Sequence, residues 1–430
     1  MIGSVKTSRT GRRFQVNKTQ RRQRMEVSKL NVGMHIVELD RPWLDSPFLF
    51  QGFTLESVED VHMVQDCCEY VYVDVVEEEW IEKNSKNQSK AVKRTRYAEK
   101  RDMATQLTEA NRTYQAAKGH VKSLLASVQL GRALSMHETQ HVVKECVEKV
   151  IHNPNALLWL TRLKHRDDYT AEHSINVSLL SIALGRHMGL EKWELENLGV
   201  CGLLHDIGKM RVPEEILNKP SALTPEEFEE MARHTVYARQ LLMGRSDIYP
   251  GTVDVAYSHH ERLDGKGYPR GINSSKISKF TRIVTIADAY DAMTSDRCYK
   301  TGMSSLDALK IINREKGTQF DEEAAQKFIE MIGLYPPGYL LEMSNGEVGI
   351  ILSHDTGYQL RPKVIMILDK DKNPQPETII NLAAYPVDPQ GEGYEPKGVY
   401  RSGCFGINVD DYVRRGLQIQ GFDYSLLDES

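Results

Sequence analysis

The sequence predicts a mainly α-helical protein, with a small α+β domain before the helical domain and a short β-rich module after it. Three observations predict this. Residues 155–335 show successive amphipathic stretches with helix-capping signals and short loops. Residues 26–80 contain short β-branched and aromatic runs around one helical stretch, and strand patterns return after residue 335. A chain of 430 residues is also too long for one ordinary core.

The amino-terminal part combines a basic tail with the α+β domain. The first 24 residues hold eight Lys or Arg and no acid, and no apolar segment of a secretory signal follows. We therefore predict a disordered tail over residues 1–25; a true start at Met25, or a contact with a membrane surface or a partner, is the alternative. In residues 26–80 we expect a helix from near Ser57 and strands at 35–37, 48–50 and 71–73.

Residues 81–154 are predicted to be a charged linker followed by a connecting helix. Basic residues crowd the segment after the acidic run at 77–79, a composition typical of a solvated linker. Farther on, apolar side chains follow one helix face, at Val121, Leu124, Leu125 and Val128. This helix either connects domains and supports a homodimer, or packs on the surface of its own domain.

Residues 155–335 are predicted to form the helical catalytic domain, and residues 336–430 a β-rich module with a tail. In the helical domain, Thr224-Pro225-Glu226-Glu227 is a capping box with proline at the first helical position. Asp321 can cap a later helix. In the module, Asn345-Gly346 between two apolar runs predicts a tight β-hairpin.

Composition narrows the function classes. The net charge of -5 argues against a general DNA or RNA binder, which needs excess positive charge to displace counterions, but it allows a local basic pocket for a small anion. Six cysteines without CxxC spacing indicate neither a disulfide framework nor a zinc finger, which fits the reducing cytoplasm. No run of 18 apolar residues occurs, so we expect no membrane span.

Histidine and aspartate, both metal-ligand types, are concentrated in the apolar helices of residues 155–335. The set comprises His173, His205, Asp206, His234, His259, His260 and Asp288. A single histidine of this kind is usually a hydrogen-bonded core residue. The adjacent pairs change that interpretation, because neighbouring helical side chains point about 100° apart and unbonded buried polar groups are costly. Divalent metals satisfy imidazole and carboxylate together, and two metals roughly 3.5–4 Å apart suit in-line attack at phosphorus.

The same residues stand in motifs that resemble those of the HD-GYP family, a branch of the HD metal-phosphohydrolase superfamily. The motifs are His-Ser-Ile-Asn-Val at 173–177, Leu-Leu-His-Asp-Ile-Gly-Lys at 203–209, His-His-Glu-Arg-Leu-Asp-Gly-Lys-Gly-Tyr-Pro at 259–269, Ala-Asp-Ala-Tyr-Asp-Ala-Met-Thr-Ser-Asp-Arg at 287–297 and Gly-Thr-Gln-Phe-Asp at 317–321. A lone His-Asp pair is weak, whereas this ordered set is very specific. The resemblance implies an all-helical domain that hydrolyses cyclic di-GMP, with iron or manganese as the usual metals.

The resemblance also implies roles for individual residues. One metal would be held by His173, His205, Asp206 and Asp288. The other would be held by Asp206, His234, His259 and His260, with Asp206 bridging the two. Lys209 would lie beside the attacked phosphate, and Arg297 and Lys300 would contact substrate phosphate or guanine. Tyr268 would belong to a loop that lies beside the substrate and is linked to partner recognition.

Several departures from the family pattern matter. Tyr169 stands where some relatives place a glutamate for a third metal, so we expect two divalent metals. Cys298 replaces a usual proline and Ala238 a usual glycine, and we expect both to reshape the substrate rim. Residues 27–80 resemble an uncharacterised domain often found ahead of HD-GYP domains.

The predicted reaction is hydrolysis of cyclic di-GMP to linear pGpG, with in-line attack of water at one phosphorus while Lys209 and the metals offset the developing charge. A second cut to GMP is left open. One alternative keeps the enzyme but makes 3′,3′-cyclic GMP-AMP the substrate. The other is a sensor or adaptor that binds a cyclic dinucleotide without turnover. Protein partners would bind through the Gly-Tyr-Pro loop or the amino-terminal domain.

Overall fold

The computed structural model describes residues 6–7, 13–40, 53–55, 58–82, 103–132, 134–152, 154–161, 169–295, 302–353, 361–384, 386–388, 391 and 393–414. They fall into two compact units, within Met1–Lys93 and Arg94–Ser430. The predicted substrate contacts Arg297 and Lys300, and the departure at Cys298, lie outside the described residues. None of the described helices combines the length and apolar character that a bilayer crossing requires.

The first unit is built on a five-stranded antiparallel sheet in the order β1-β2-β5-β3-β4. Its elements are β1 (Lys6–Thr7), β2 (Arg13–Glu26), β3 (His35–Leu39), β4 (Phe53–Thr54), α1 (Val58–Cys67) and β5 (Tyr70–Glu82). Ile36 of β3, Val64 of α1 and Val71 of β5 are fully buried, so the helix and sheet share a small core. The strand predicted at 48–50 lies outside the described residues.

Strands β1 and β2 correct the prediction of a disordered tail over residues 1–25 at residues 6–7 and 13–25, and the rest of that stretch lies outside the described residues. Strand β2 runs antiparallel to β5 from Phe14 opposite Glu82 to Glu26 opposite Tyr70. The register pairs basic with acidic residues, at Lys18↔Glu78 and Arg22↔Asp74. A strand without apolar alternation is invisible to a search for that pattern.

The second unit begins, among described residues, with two helices in the stretch that was predicted to be a charged linker followed by a connecting helix. They are α2 (Met103–Gln129) and α3 (Met136–His152). The predicted apolar face of α2 is buried, with Val121 0% exposed, and α2 packs against helices of the same unit. Of the two interpretations offered for this stretch, packing on its own domain is the one observed. The predicted linker also overlaps β5, which continues to Glu82.

The helical domain follows. Its helices are α4 (Pro154–Leu160), α5 (Tyr169–His187), α6 (Lys192–Leu204), α7 (Glu214–Leu217), α8 (Pro225–Ala232), α9 (His234–Leu242), α10 (Pro250–Ser258), α11 (Lys279–Thr294), α12 (Ser305–Arg314) and α13 (Glu322–Ile332). Helix α5 packs against α6, α11 and α2 and forms the centre of the domain. The capping box at Thr224 is confirmed, as is the cap at Asp321, whose side chain accepts from the Ala324 amide. The mainly α fold class is confirmed.

The carboxyl-terminal module is a second antiparallel sheet, ordered β10-β6-β7-β8-β9. Its elements are β6 (Leu340–Met343), β7 (Val348–Ser353), β8 (Lys363–Leu368), β9 (Pro374–Asn381), β10 (Pro396–Tyr400) and α14 (Val409–Arg414). The predicted Asn345-Gly346 hairpin joins β6 to β7, with Gly346 at φ 90°. Just after β10, Arg401 donates to the carbonyls of Thr294 and Gly302 in the helical domain.

Candidate metal centre

Asp206 lies at the centre of the site, immediately after α6, and is 1% exposed. It precedes a 3₁₀ helix, Ile207–Arg211, that packs closely on α9. A Cβ on Gly208 would lie 1.9 Å from the His234 carbonyl oxygen and 2.4 Å from the Ala238 nitrogen. Only glycine permits this approach, and the approach brings Asp206 and His234 together. Ala238 is fully buried there, and its effect on the substrate rim stays a prediction.

Five helices bring the predicted histidines and Asp288 to Asp206. His173 lies on α5, His205 at the end of α6, His234 at the start of α9, His259 and His260 after α10, and Asp288 on α11. The buried members are less than a tenth exposed, whereas the His260 side chain is 26% exposed. Their potential ligand atoms form overlapping groups in which all atoms lie within 4.8 Å of one another.

One group faces the Oδ2 atom of Asp206. His173 Nε2 lies 3.5 Å and His205 Nε2 3.3 Å from this oxygen. Asp288 completes the set, with its Oδ1 atom 3.1 Å from His173 Nε2 and 3.8 Å from His205 Nε2. The structure therefore brings together the four residues predicted for the first metal.

The other group faces the Oδ1 atom of Asp206. His234 Nε2 lies 3.3 Å and His259 Nε2 3.6 Å from it. The His260 ring centre lies 4.1 Å from that of His259 and 5.1 Å from that of His234. The two oxygens of one carboxylate thus face different histidine groups, the arrangement that a bridging ligand requires.

Hydrogen bonds fix which nitrogen of each imidazole faces the centre. The Nδ1 atoms of His205, His234 and His259 face the carbonyls of Gly202, Met231, and Val255 and Ala256. Carbonyls only accept, so Nδ1 carries the proton and Nε2 presents a lone pair. His205 Nε2 and Asp206 Oδ1 are buried without a hydrogen-bond partner among the described residues. Lone pairs directed at carboxylate oxygens repel unless a cation lies between them, so these residues fit divalent metal.

The pKa shifts agree with this donor set. Burial raises the pKa of Asp206, but Lys209 and His205 outweigh it and hold the pKa well below its usual range. Asp288 behaves alike, because its close contacts with His173 and the neighbouring imidazoles outweigh burial and lower its pKa. Burial lowers the pKa of His234 to about 3 and that of His260 well below its ordinary value. At neutral pH the carboxylates are therefore ionised and these imidazoles neutral, the forms that bind cations.

Lys209 and Tyr268 lie beside the metal-ligand cluster. Lys209 Nζ contacts Asp206 Oδ2 and its side chain is 23% exposed. The Tyr268 ring centre lies 4.7 Å from that of His260 and 6.5 Å from that of His234. Burial raises the pKa of Tyr268, so its phenol keeps the proton and can donate. On its far side, Tyr268 meets the Phe228 ring at 5.9 Å, and Phe228 is 52% exposed.

Two buried carboxylates at this site were missed from the sequence. Asp291 accepts from His173 Nδ1 at 2.8 Å and is 2% exposed. Glu261 accepts from the backbone amides of Arg270 and Ile272 and so closes the Gly-Tyr-Pro loop. A signal existed for both, because Glu261 directly follows the predicted ligand His260 and Asp291 stands three residues after the predicted ligand Asp288.

Two families match the chain. An HD domain family matches residues 152–324, which include all seven clustered side chains. A domain of unknown function, DUF3391, matches residues 22–139, which include α2 as well as strands β3–β5.

Individual relatives cover different shares of the chain. The cyclic di-GMP phosphodiesterase PA4108 of Pseudomonas aeruginosa is 34% identical over 388 residues, 87% of this chain and 92% of that protein. A cyclic di-GMP phosphodiesterase of Thermotoga maritima is 37% identical over 39% of this chain and 46% of its own length. The 3'3'-cGAMP-specific phosphodiesterase 3 of Vibrio cholerae is 36% identical over 40% of this chain and 38% of its own.

Proposed function

This chain belongs to the HD-GYP family of cyclic dinucleotide phosphodiesterases, and we propose that it hydrolyses cyclic di-GMP to linear pGpG. The observation that carries the proposal is the shared carboxylate of Asp206, whose two oxygens face two separate histidine groups. Among the relatives, the protein that matches most of this chain, including the region ahead of the HD domain, bears the name of a cyclic di-GMP phosphodiesterase.

The proposed site holds two divalent metals, iron or manganese in keeping with the family. One is assigned to His173, His205, Asp206 and Asp288, and the other to Asp206, His234, His259 and His260. When bound, such a pair activates water and polarises phosphoryl oxygens. The protein contributes neutral imidazoles fixed through their Nδ1 protons, and ionised carboxylates that need no proton release before binding.

Lys209 and Tyr268 are proposed to bind the substrate directly. The Lys209 ammonium lies beside Asp206 and can donate to a phosphoryl oxygen, where it offsets charge that develops during attack. The neutral Tyr268 phenol can donate a hydrogen bond without adding negative charge near a phosphodiester. Arg297 and Lys300 keep the substrate contacts proposed from the sequence. We place the protein in the cytoplasm, where the free thiols of its described cysteines stay reduced.

The alternatives are less favoured. The relative named for 3'3'-cGAMP aligns over less than half of either chain, whereas the relative named for cyclic di-GMP aligns over most of both. A non-catalytic sensor needs no complete set of metal ligands, whereas all seven predicted ligand residues, Asp206 included, are present and clustered in this chain.

The test is turnover by the full chain. Protein loaded anaerobically with Mn²⁺ or Fe²⁺ is incubated with cyclic di-GMP or 3′,3′-cyclic GMP-AMP, and the nucleotides are resolved by chromatography. We expect linear pGpG, a higher kcat/KM for cyclic di-GMP and two metal equivalents per chain. Binding without linear product under both metals would favour the sensor, and preference for the mixed dinucleotide would favour the second substrate.

A further inference from the structure

Helix α2 contacts α5 through two buried polar pairs on either side of His173. The Tyr114 hydroxyl donates to Asn176 Oδ1 at 3.0 Å, and Lys118 Nζ donates to Glu172 Oε1 at 2.5 Å. Tyr114 and Lys118 are four residues apart on α2, and Glu172 and Asn176 are four residues apart on α5. The two contacts therefore lie one helical turn apart. All four residues are less than a tenth exposed. The two contacts therefore hold α2 against the turn of α5 that carries His173.

The amide of Asn176 has only one orientation that satisfies its surroundings. Its Nδ2 atom donates to Asp291 Oδ1 at 3.1 Å and to the Thr161 carbonyl at 3.3 Å. Both partners are acceptors, so Oδ1 must face a donor, and the Tyr114 hydroxyl is that donor. Without the hydroxyl, this contact of a buried acceptor is lost and the amide is less firmly held.

The oriented amide acts on a metal ligand through Asp291. The Oδ1 atom of this carboxylate accepts a hydrogen bond from Asn176 Nδ2. Its Oδ2 atom accepts from His173 Nδ1 and, at 3.2 Å, from Ser295 Oγ. A carboxylate that receives the Nδ1 proton fixes the imidazole tautomer and ring orientation, so that Nε2 faces the centre. A continuous chain of hydrogen bonds thus runs from Tyr114 through Asn176 and Asp291 to His173.

We propose that α2, which lies in the region matched by the domain of unknown function, supplies positioning residues for the metal centre. Tyr114 fixes His173 through Asn176 and Asp291, and the Lys118–Glu172 pair keeps α2 in register for that contact. Helix α2, the part of that family region described here within the second unit, is therefore a working part of the catalytic domain. The inference rests on the proposed function, because it takes His173 as a metal ligand.

The test measures metal affinity directly. Full-length metal-free protein is titrated with Mn²⁺ by calorimetry, as wild type and as Tyr114→Phe, Asp291→Asn and His173→Ala. Changes to residues that orient a ligand typically cost about 10–100-fold in metal affinity, which we expect for Asp291→Asn. Tyr114 acts two steps further from the ligand, and we expect about 3–10-fold weaker binding for Tyr114→Phe. Tyr394→Phe is the matched control, a buried tyrosine of the carboxyl-terminal sheet, and should bind like wild type.

A second pair of variants tests Lys118. Lys118→Met leaves Glu172 buried without this partner and should weaken Mn²⁺ binding, whereas Lys118→Met with Glu172→Leu should recover it, because an apolar pair restores the contact. Wild-type affinity in Tyr114→Phe or in Lys118→Met, with His173→Ala impaired, would overturn the inference and leave the proposed function intact. If the wild-type protein bound no Mn²⁺, or His173→Ala bound it normally, the proposed function would fail instead.

Discussion

The Oδ1 atom of Asp206 lies 3.3 Å from the Nε2 atom of His234, and both atoms are acceptors. The Met231 carbonyl takes the Nδ1 proton of His234, and the low pKa of Asp206 keeps its carboxylate ionised. Two buried lone pairs at this distance are unfavourable without a cation between them. The contact is therefore destabilising in the metal-free protein, and a bound cation would remove the repulsion.

The variant Asp206→Asn separates the effect of this repulsion on stability from the role of Asp206 in catalysis. An amide N–H can donate to His234 Nε2 and so offset the lost contact with Lys209, and we expect the metal-free variant to melt close to metal-free wild type. Turnover should fall by about 10³-fold or more, because the anionic bridging ligand is lost. Asp254→Asn, outside the cluster, is the control for removal of a carboxylate. A strongly lowered melting temperature in metal-free Asp206→Asn would contradict the argument.

Metal removal should lower stability as well as activity. A ligand that binds only the folded chain stabilises it by about 2.7 kcal/mol at a free concentration of 100 Kd. We expect a chelator to abolish turnover and lower the melting temperature, and Mn²⁺ to restore both. In His259→Ala, which lacks one ligand facing Asp206 Oδ1, the Mn²⁺-induced rise should shrink. An equal rise in both proteins would argue against His259 as a ligand.

Mild acid should destabilise the metal-free protein. Burial lowers the pKa of His234 to about 3 and the pKa of His260 well below its ordinary value. In the unfolded chain the pKa of both is about 6.5. Between these values the unfolded state binds more protons, so stability falls as pH is lowered. Urea unfolding at pH 7 and pH 5.5 should show this loss, and His234→Gln should reduce it. The depressed carboxylate pKa values act only at lower pH, below about 4.

The exposed ring of Phe228 should contribute to substrate binding. It touches Tyr268, which itself stacks near His260, and an exposed ring beside a dinucleotide site offers a stacking surface for a base. Loss of one stacked base costs about 1–3 kcal/mol. We expect Phe228→Ala to raise KM for cyclic di-GMP about 5- to 100-fold with little change in kcat, and Phe228→Trp to retain binding. Trp193→Ala, another exposed aromatic, should leave KM unchanged; an unchanged KM in Phe228→Ala would refute the stacking role.

The ligand set was predictable because each member stands in or directly after a helix whose apolar residues leave few roles for a charged or polar side chain. His205 and Asp206 are adjacent, so their shared burial is visible in the sequence. The hydrogen-bond partner of His173 was not predictable from the sequence, because Asp291 lies 118 residues away and contacts His173 only when α5 packs on α11. Long-range hydrogen bonds of this kind depend on packing that local patterns do not encode.

The amino-terminal sheet was predicted less well from the sequence than the ligand set. Strand β2 has no apolar alternation, and the part of β5 after the predicted strand at 71–73 contains the acidic run 77–79, so each of these stretches alone resembles a solvated segment. Only their pairing reveals a strand. Similarly, the charge-rich start of α2 concealed a helix whose later residues, Tyr114 and Lys118, are buried against α5. Charged stretches are therefore the places where sequence patterns predicted least.

Arg401 gives the carboxyl-terminal module a testable part in substrate binding. Its guanidinium donates to the Gly302 carbonyl at 2.6 Å and the Thr294 carbonyl at 3.0 Å. These two carbonyls flank residues 295–301, the stretch in which the sequence predicts the substrate contacts Arg297 and Lys300. A planar guanidinium can hold two carbonyls at once, which a single ammonium does less well.

We therefore expect Arg401→Met to raise KM for cyclic di-GMP about 10-fold, the loss of roughly 1.4 kcal/mol of binding, while the affinity for Mn²⁺ stays at the wild-type value. Arg401→Lys should recover part of the loss. Lys397→Met, whose ammonium contacts Glu342 at 3.3 Å within the module, is the control and should leave KM unchanged. If Arg401→Met weakened Mn²⁺ binding as much as substrate binding, Arg401 would support the whole helical domain rather than the substrate-binding stretch.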